Sequence, residues 1–319
     1  MKERINMEEQ NRQVPPMPPR SNGKRMWHLC GPLVIKWAIG FGVSMAAMMA
    51  LSFTYIYAHY DAAMSAMQDE TQMMNLYANL LEEYINATTL VEGIAALVTI
   101  PVMLVLFHKD RVAEKLRGVI PNKKAPIWKY LAEIVLALSL SMGLNNLILI
   151  ANLSSVSDGY QETMDALYSA PLFVQIISLA VLVPISEELV FRGLLFKRLR
   201  EQGAFMQAAL YSSIVFGLLH MNMVQMIYGF ILGMMLAYVY EKYGSVKAPI
   251  VAHMAMNLLS VLGTEFKLYE WLVEDSLRIG IITVVCAAVS ATMFVLIQRI
   301  DERPDIEEQM NKNENLADA

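Results

Sequence analysis

Eight apolar runs decide what this chain can fold into. They lie near 32–58, 87–107, 128–152, 170–196, 205–221, 223–240, 248–264 and 279–298, and each is about long enough to cross ~30 Å of hydrocarbon. The fifth and sixth are parted only by Met221-Asn222, the least secure of the divisions. Hydrophobic residues make up 56% of the chain and charged residues 17%, where a soluble domain carries roughly a quarter charged. Disorder, collagen, a disulfide scaffold and an ordinary cytosolic enzyme are excluded. The expected fold is an all-α polytopic membrane helix bundle of about eight transmembrane helices. The membrane domain spans 31–300, between a polar Pro-rich tail over 1–30 and an acidic tail over 301–319.

The basic residues orient this bundle. Of the 25 Lys and Arg, 21 fall on one side if the N-terminus is inside, and only Lys267 and Arg278 fall on the other. Lys36 and Arg192 lie within apolar runs. The expected outer loops 60–86 and 153–169 hold Asp61, Asp69, Glu70, Glu82, Glu83, Asp158, Glu162 and Asp165 without one basic residue. Cytosolic segments collect Lys and Arg, so both termini are expected inside. The first apolar run begins some thirty residues in, which does not fit a cleavable signal peptide. A net charge of −5 offers no basic face for nucleic acid, so none is expected as a partner. Cys30 and Cys286 define neither a disulfide framework nor a metal knuckle.

Ionisable groups inside a bilayer are costly and by default functional. This chain has few. The run Val183-Pro184-Ile185-Ser186-Glu187-Glu188-Leu189-Val190-Phe191-Arg192 carries two acids and an arginine, Phe216-Gly217-Leu218-Leu219-His220 ends the fifth run, and His253-Met254-Ala255-Met256-Asn257 lies in the seventh. Glu188 and Arg192 stand at i and i+4, in the order that favours an ion pair. Glu187 projects about 100° away and is expected to lack a local partner. His253 and Asn257 also share a face. At ~1.5 Å per residue from the cytosolic ends, Glu187, His220, His253 and Asn257 fall at depths that let three helices converge. Gly229-Phe230-Ile231-Leu232-Gly233 matches the GxxxG pattern of close helix packing.

The order Glu-Glu-x-x-x-Arg, Phe-x-x-x-His, His-x-x-x-Asn on successive membrane helices resembles the CPBP intramembrane proteases. That family includes type II CAAX prenyl endopeptidases and bacterial relatives linked to bacteriocin immunity and peptide processing. Glu187, Glu188 and Arg192 match the first motif, Phe216 and His220 the second, His253 and Asn257 the third. The resemblance covers about 170–260 and implies a membrane endopeptidase with those residues as its site. Neither the His-Glu-x-x-His of zinc proteases nor a Gly-x-Ser-x-Gly serine elbow is present.

Peptide hydrolysis needs an activated water, a proton carrier and a stabilised oxyanion. Glu187 can take the proton from water, His220 can pass one to the leaving amine, and His253 with the Asn257 amide can face the oxyanion. The resemblance implies the same metal-free assignment. The rival is a zinc site of Glu187, His220 and His253 with an open position for water. Metal-free chemistry is preferred, because no carboxylate behind either histidine is evident. The expected partners are the lipid bilayer and a membrane-associated peptide or protein substrate, in a bacterial plasma membrane. A proton-coupled transporter and an immunity-type membrane protein that binds a peptide without cutting it are the alternatives. Repeat symmetry between the halves, which would favour a transporter, is not seen.

Overall fold

A computed structural model describes residues 22–119, 122–153, 158–220 and 222–300. The proline run at 15–19 and the acidic tail over 301–319 lie outside the described residues. The helices are α1 Asn22–Ala58, α2 Tyr60–Ala66, α3 Glu70–Leu116, α4 Tyr130–Ile150, α5 Asp158–Tyr168, α6 Leu172–Arg200, α7 Phe205–Leu218, α8 Met223–Tyr243, α9 Lys247–Glu265, α10 Leu268–Val273 and α11 Ser276–Gln298. Among the described residues there is no strand.

All eight apolar runs are helical. Six helical segments are long and apolar enough to cross a membrane: α1, α3, Ile127–Ile150 with α4, α6, α8 and α11. The other two runs form α7 and α9. The first is short, and the second is diluted by Lys247, His253 and Asn257. The division between runs five and six holds, since the Asn222 side chain accepts the Gln225 backbone N–H at 2.9 Å and caps α8.

Two expectations need correction. Residues 22–30, placed in the polar tail, are the first turns of α1. The expected loop 60–86 is almost all helix: the Asp69 side chain accepts the Gln72 N–H at 3.0 Å and starts α3. Glu, Gln, Met, Leu and Ala then supply strong helix propensity ahead of the apolar run. Apolar periodicity marks where a helix is buried, not where it begins. Likewise α5 occupies much of the expected loop 153–169.

The centre of the bundle is α6, packed by α1, α3, α7, α8 and α9. Its Leu189, Val190, Phe191, Leu194 and Leu195 form a core with Met103 of α3 and Phe216 of α7. A second core joins α4, α8, α9 and α11 through Leu136, Leu236, Val239, Met256 and Ile297. Half of the apolar window of α6 is buried, whereas none of that of α1 is. The GxxxG expectation takes concrete form between α7 and α8. A Cβ on Gly233 would meet the Ser213 Cβ at 3.0 Å, and one on Gly217 would meet the Met226 carbonyl oxygen at 2.6 Å.

Charged side chains level the helix ends. Arg198 of α6 pairs with Asp110 of α3 at 2.6 Å and donates to the His28 carbonyl of α1. Arg25 donates to Gln202 at 2.9 Å, and Lys197 pairs with Glu114 at 2.6 Å. These contacts set α1, α3 and α6 in register, and so decide which residues meet deeper in the bundle.

Candidate active site

The acid pair sits in a short α-helical stretch, Val183–Glu188, between two π-helical stretches, Ile176–Leu182 and Leu189–Phe196. Such i→i+5 turns are rare and cluster at functional sites. Glu188 and Arg192 form the expected ion pair, with Arg192 Nη1 donating to Glu188 Oε1 at 2.7 Å and both side chains fully buried. Arg192 Nη2 donates to the Gly233 carbonyl of α8 at 3.0 Å, and the guanidinium lies 4.6 Å from the centre of the Phe216 ring.

The same Glu188 oxygen lies 2.9 Å from Nδ1 of His253. A carboxylate engaged by arginine accepts, so Nδ1 carries the proton and Nε2 is left to face the site. Nε2 lies 3.9 Å from Oε2 of Glu187, a separation that fits an intervening water better than a direct bond. His220 is oriented in the same way by different means. Its Nδ1 lies 2.9 Å from the Phe216 carbonyl, an orphan acceptor at the end of α7. Gly229 makes room for that ring, since a Cβ there would sit 3.3 Å from it. Glu187, His220, Phe191, Phe216, Leu219 and Lys36 line a cavity of about 80 Å³.

Three expectations change here. Glu187 does have a partner: the Lys36 ammonium of α1 is 3.7 Å from its Oε1. The signal was a lone lysine inside an apolar run, unconnected because α1 and α6 meet only in the folded bundle. Asn257 does not point a free amide into the cavity, for its Nδ2 donates to the Leu179 carbonyl at 2.8 Å. Leu179 lies in the first π-helical stretch, and Asn257 ties that stretch to α9. The third concerns zinc. A carboxylate does stand behind His253, so that reason for preferring metal-free chemistry falls. The donors themselves do not form a zinc site as arranged: among the described residues no three His, Cys, Asp or Glu gather closely enough to hold a metal ion. Glu187 is instead faced by an ammonium.

Asn257→Leu is therefore expected to act on stability first. It leaves the Leu179 carbonyl without a donor, a loss of ~1–3 kcal/mol, seen as a lower Tm. Its activity loss should be smaller than that of His253→Ala, and the reverse order would restore Asn257 to the reacting group.

Residues 169–259 match the family model described as Type II CAAX prenyl endopeptidase Rce1-like. This segment is Rce1-like. It begins just before α6, ends in α9 and contains all three motifs, so the resemblance to the CPBP proteases holds. A curated relative, "Putative membrane peptidase YdiL" of Bacillus subtilis (strain 168), is 29% identical over 126 residues, 40% of this chain and 51% of that protein. The chain thus spans about half the length of the curated relative it matches. No solved structure matches. The Rce1-like segment and the six candidate spans make the chain an integral membrane protein. Lys36 lies outside that segment.

Proposed function

We propose that the chain is an intramembrane endopeptidase of the CAAX type. In this reading it hydrolyses a membrane-bound or lipid-anchored peptide in a bacterial plasma membrane, with a water activated by Glu187. The observation that carries it is that the Glu187 carboxylate and the Nε2 of His253 stand 3.9 Å apart, near enough for one water beside them to bond to both, next to the cavity that His220 also lines.

Glu187 Oε2 takes a proton from that water as its oxygen attacks the scissile carbonyl carbon. The C=O π pair moves onto oxygen and a tetrahedral adduct forms. The imidazole of His220, its Nδ1–H held by the Phe216 carbonyl, uses Nε2 to carry that proton from Glu187 to the amine nitrogen. The C–N bond then breaks, leaving a carboxylate and an amine. His253 offers only Nε2, because Nδ1–H is occupied by Glu188. In the neutral ring that nitrogen accepts the other O–H of the water; where it has taken a proton from solvent water the ring is an imidazolium, and its Nε2–H faces the oxyanion. One oxyanion donor is typically worth ~3–4 kcal/mol.

The purified protein, incubated with the membrane peptides of its host and followed by mass spectrometry, should generate new peptide termini. Peptides retained but left intact would instead support an immunity-type binding protein. We propose that this hydrolysis is metal-free, on the pairing of Glu187 with Lys36. Dialysis against a strong chelator should then leave turnover unchanged. Activity lost to the chelator and regained with zinc, with direct inhibition by the chelator excluded, would establish Glu187, His220 and His253 as ligands.

A further inference from the structure

Lys36 is one of the few basic residues inside the apolar runs, and the motif set makes no use of it. An ammonium at such depth is expensive and is expected to serve a purpose. Its depth is close to that of Glu187: at ~1.5 Å per residue, Lys36 lies ~21 Å along α1 from Asn22, and Glu187 lies ~20 Å along α6 from Arg200. The Arg25–Gln202 and Arg198–His28 contacts hold those two helix ends level. The charge on α1 is thereby delivered to the acid on α6.

The two oxygens of Glu187 then have different neighbours. Oε1 faces Lys36 at 3.7 Å, and Oε2 faces His253 Nε2 at 3.9 Å. Glu92 of α3 is in electrostatic reach of both Lys36 and Glu187, which places a second acid near the ammonium. We propose that Lys36 is a positioning residue for the hydrolysis proposed above, anchoring Oε1 so that Oε2 alone is presented to the water. It is supplied from outside the Rce1-like segment, and it lines the cavity together with Phe191, Phe216 and Leu219. The ammonium also sets a countercharge 3.7 Å from the Glu187 carboxylate, beside the buried Glu188–Arg192 pair, whose own charges already cancel. The inference rests on the peptidase reading for its effect on rate, but the contact itself can be tested without turnover.

The experiment uses the full chain in lipid nanodiscs with the host-peptide cleavage assay. Lys36→Met should lower kcat at least ~10-fold, a part of the ~10²–10⁴ that a positioned general base supplies. KM should stay within ~2-fold, because an interaction that orients the base leaves ground-state binding alone. Lys36→Arg should recover most of the rate. A purely structural lysine would show no such split between kcat and KM and no rescue by arginine. In parallel, melting temperatures of the wild type, Lys36→Met, Glu187→Gln and the double variant form a cycle. The drop caused by Lys36→Met should shrink in the Glu187→Gln background, and additive drops would overturn the pairing. If the wild type cleaves, Glu187→Gln does not, and Lys36→Met keeps full kcat, the positioning role fails while the peptidase stands. If the wild type and Glu187→Gln are equally inert, the peptidase reading fails, and the positioning role with it. The melting cycle then decides the pairing by itself. Should Lys36→Met not fold, Lys36→Arg and the double variant supply the same comparisons.

Discussion

Glu187→Gln is expected to reduce turnover at least ~10²-fold, the low end for loss of a general base, while the purified protein remains folded. The glutamine keeps the shape of the side chain and fills the same wall of the cavity, but it cannot accept the proton from water. The cost in stability is small for a definite reason. The ammonium left behind at Lys36 lines the cavity and keeps Glu92 of α3 in electrostatic reach, so it is not stranded in hydrocarbon. Cleavage of host peptides and a thermal melt on the same preparation check both halves. A variant that retains near-normal kcat would remove Glu187 from the chemistry.

Glu188→Gln should fail differently. Its carboxylate is fully buried and shared between Arg192 and His253, so the change leaves an uncompensated guanidinium in the core, at a cost of ~3–5 kcal/mol. It also exchanges the charged acceptor that fixes the His253 ring for a neutral, weaker amide oxygen. The double change Glu188→Gln with Arg192→Met should recover part of the stability, because the stranded charge is gone. It should not recover turnover, because His253 still lacks its carboxylate. Melting curves and cleavage rates on the single and double variants separate the two tasks. Turnover returning together with stability would mean that Glu188 serves the ion pair only.

The sequence states more about these helices singly than about their contacts. The eight runs are legible because a bilayer demands long apolar segments with internally satisfied backbones. The Glu188–Arg192 bond is legible because i and i+4 share a face on one helix. The partner of Glu187 is not, since Lys36 is far away in sequence and neither apolar run specifies how the two helices are levelled. That information is spread over Arg25, His28, Arg198 and Gln202 at the helix ends. Asn257 illustrates a second limit. Spacing places it on the His253 face, but its acceptor is a carbonyl in a π-helical stretch, where the Val183 N–H goes to Ser178 and Pro184 has no N–H to offer Leu179. The carboxylate behind His253 was hidden for a simpler reason: Glu188 was already assigned to Arg192, and one oxygen serves both.

The cavity of about 80 Å³ has a kinetic consequence. It has room for a few waters but not for a peptide segment, so the two reactants load on separate clocks. In the proposed reading water can wait at Glu187 between encounters, whereas a peptide would need the neighbouring helices to give way. Collective motions of that kind run on microsecond to millisecond timescales. Because α1 is little buried along its apolar length yet supplies Lys36 to the cavity, its movement in the bilayer should reach the site directly. Turnover in stiff and soft lipids should then diverge even where the hydrolytic step is the same.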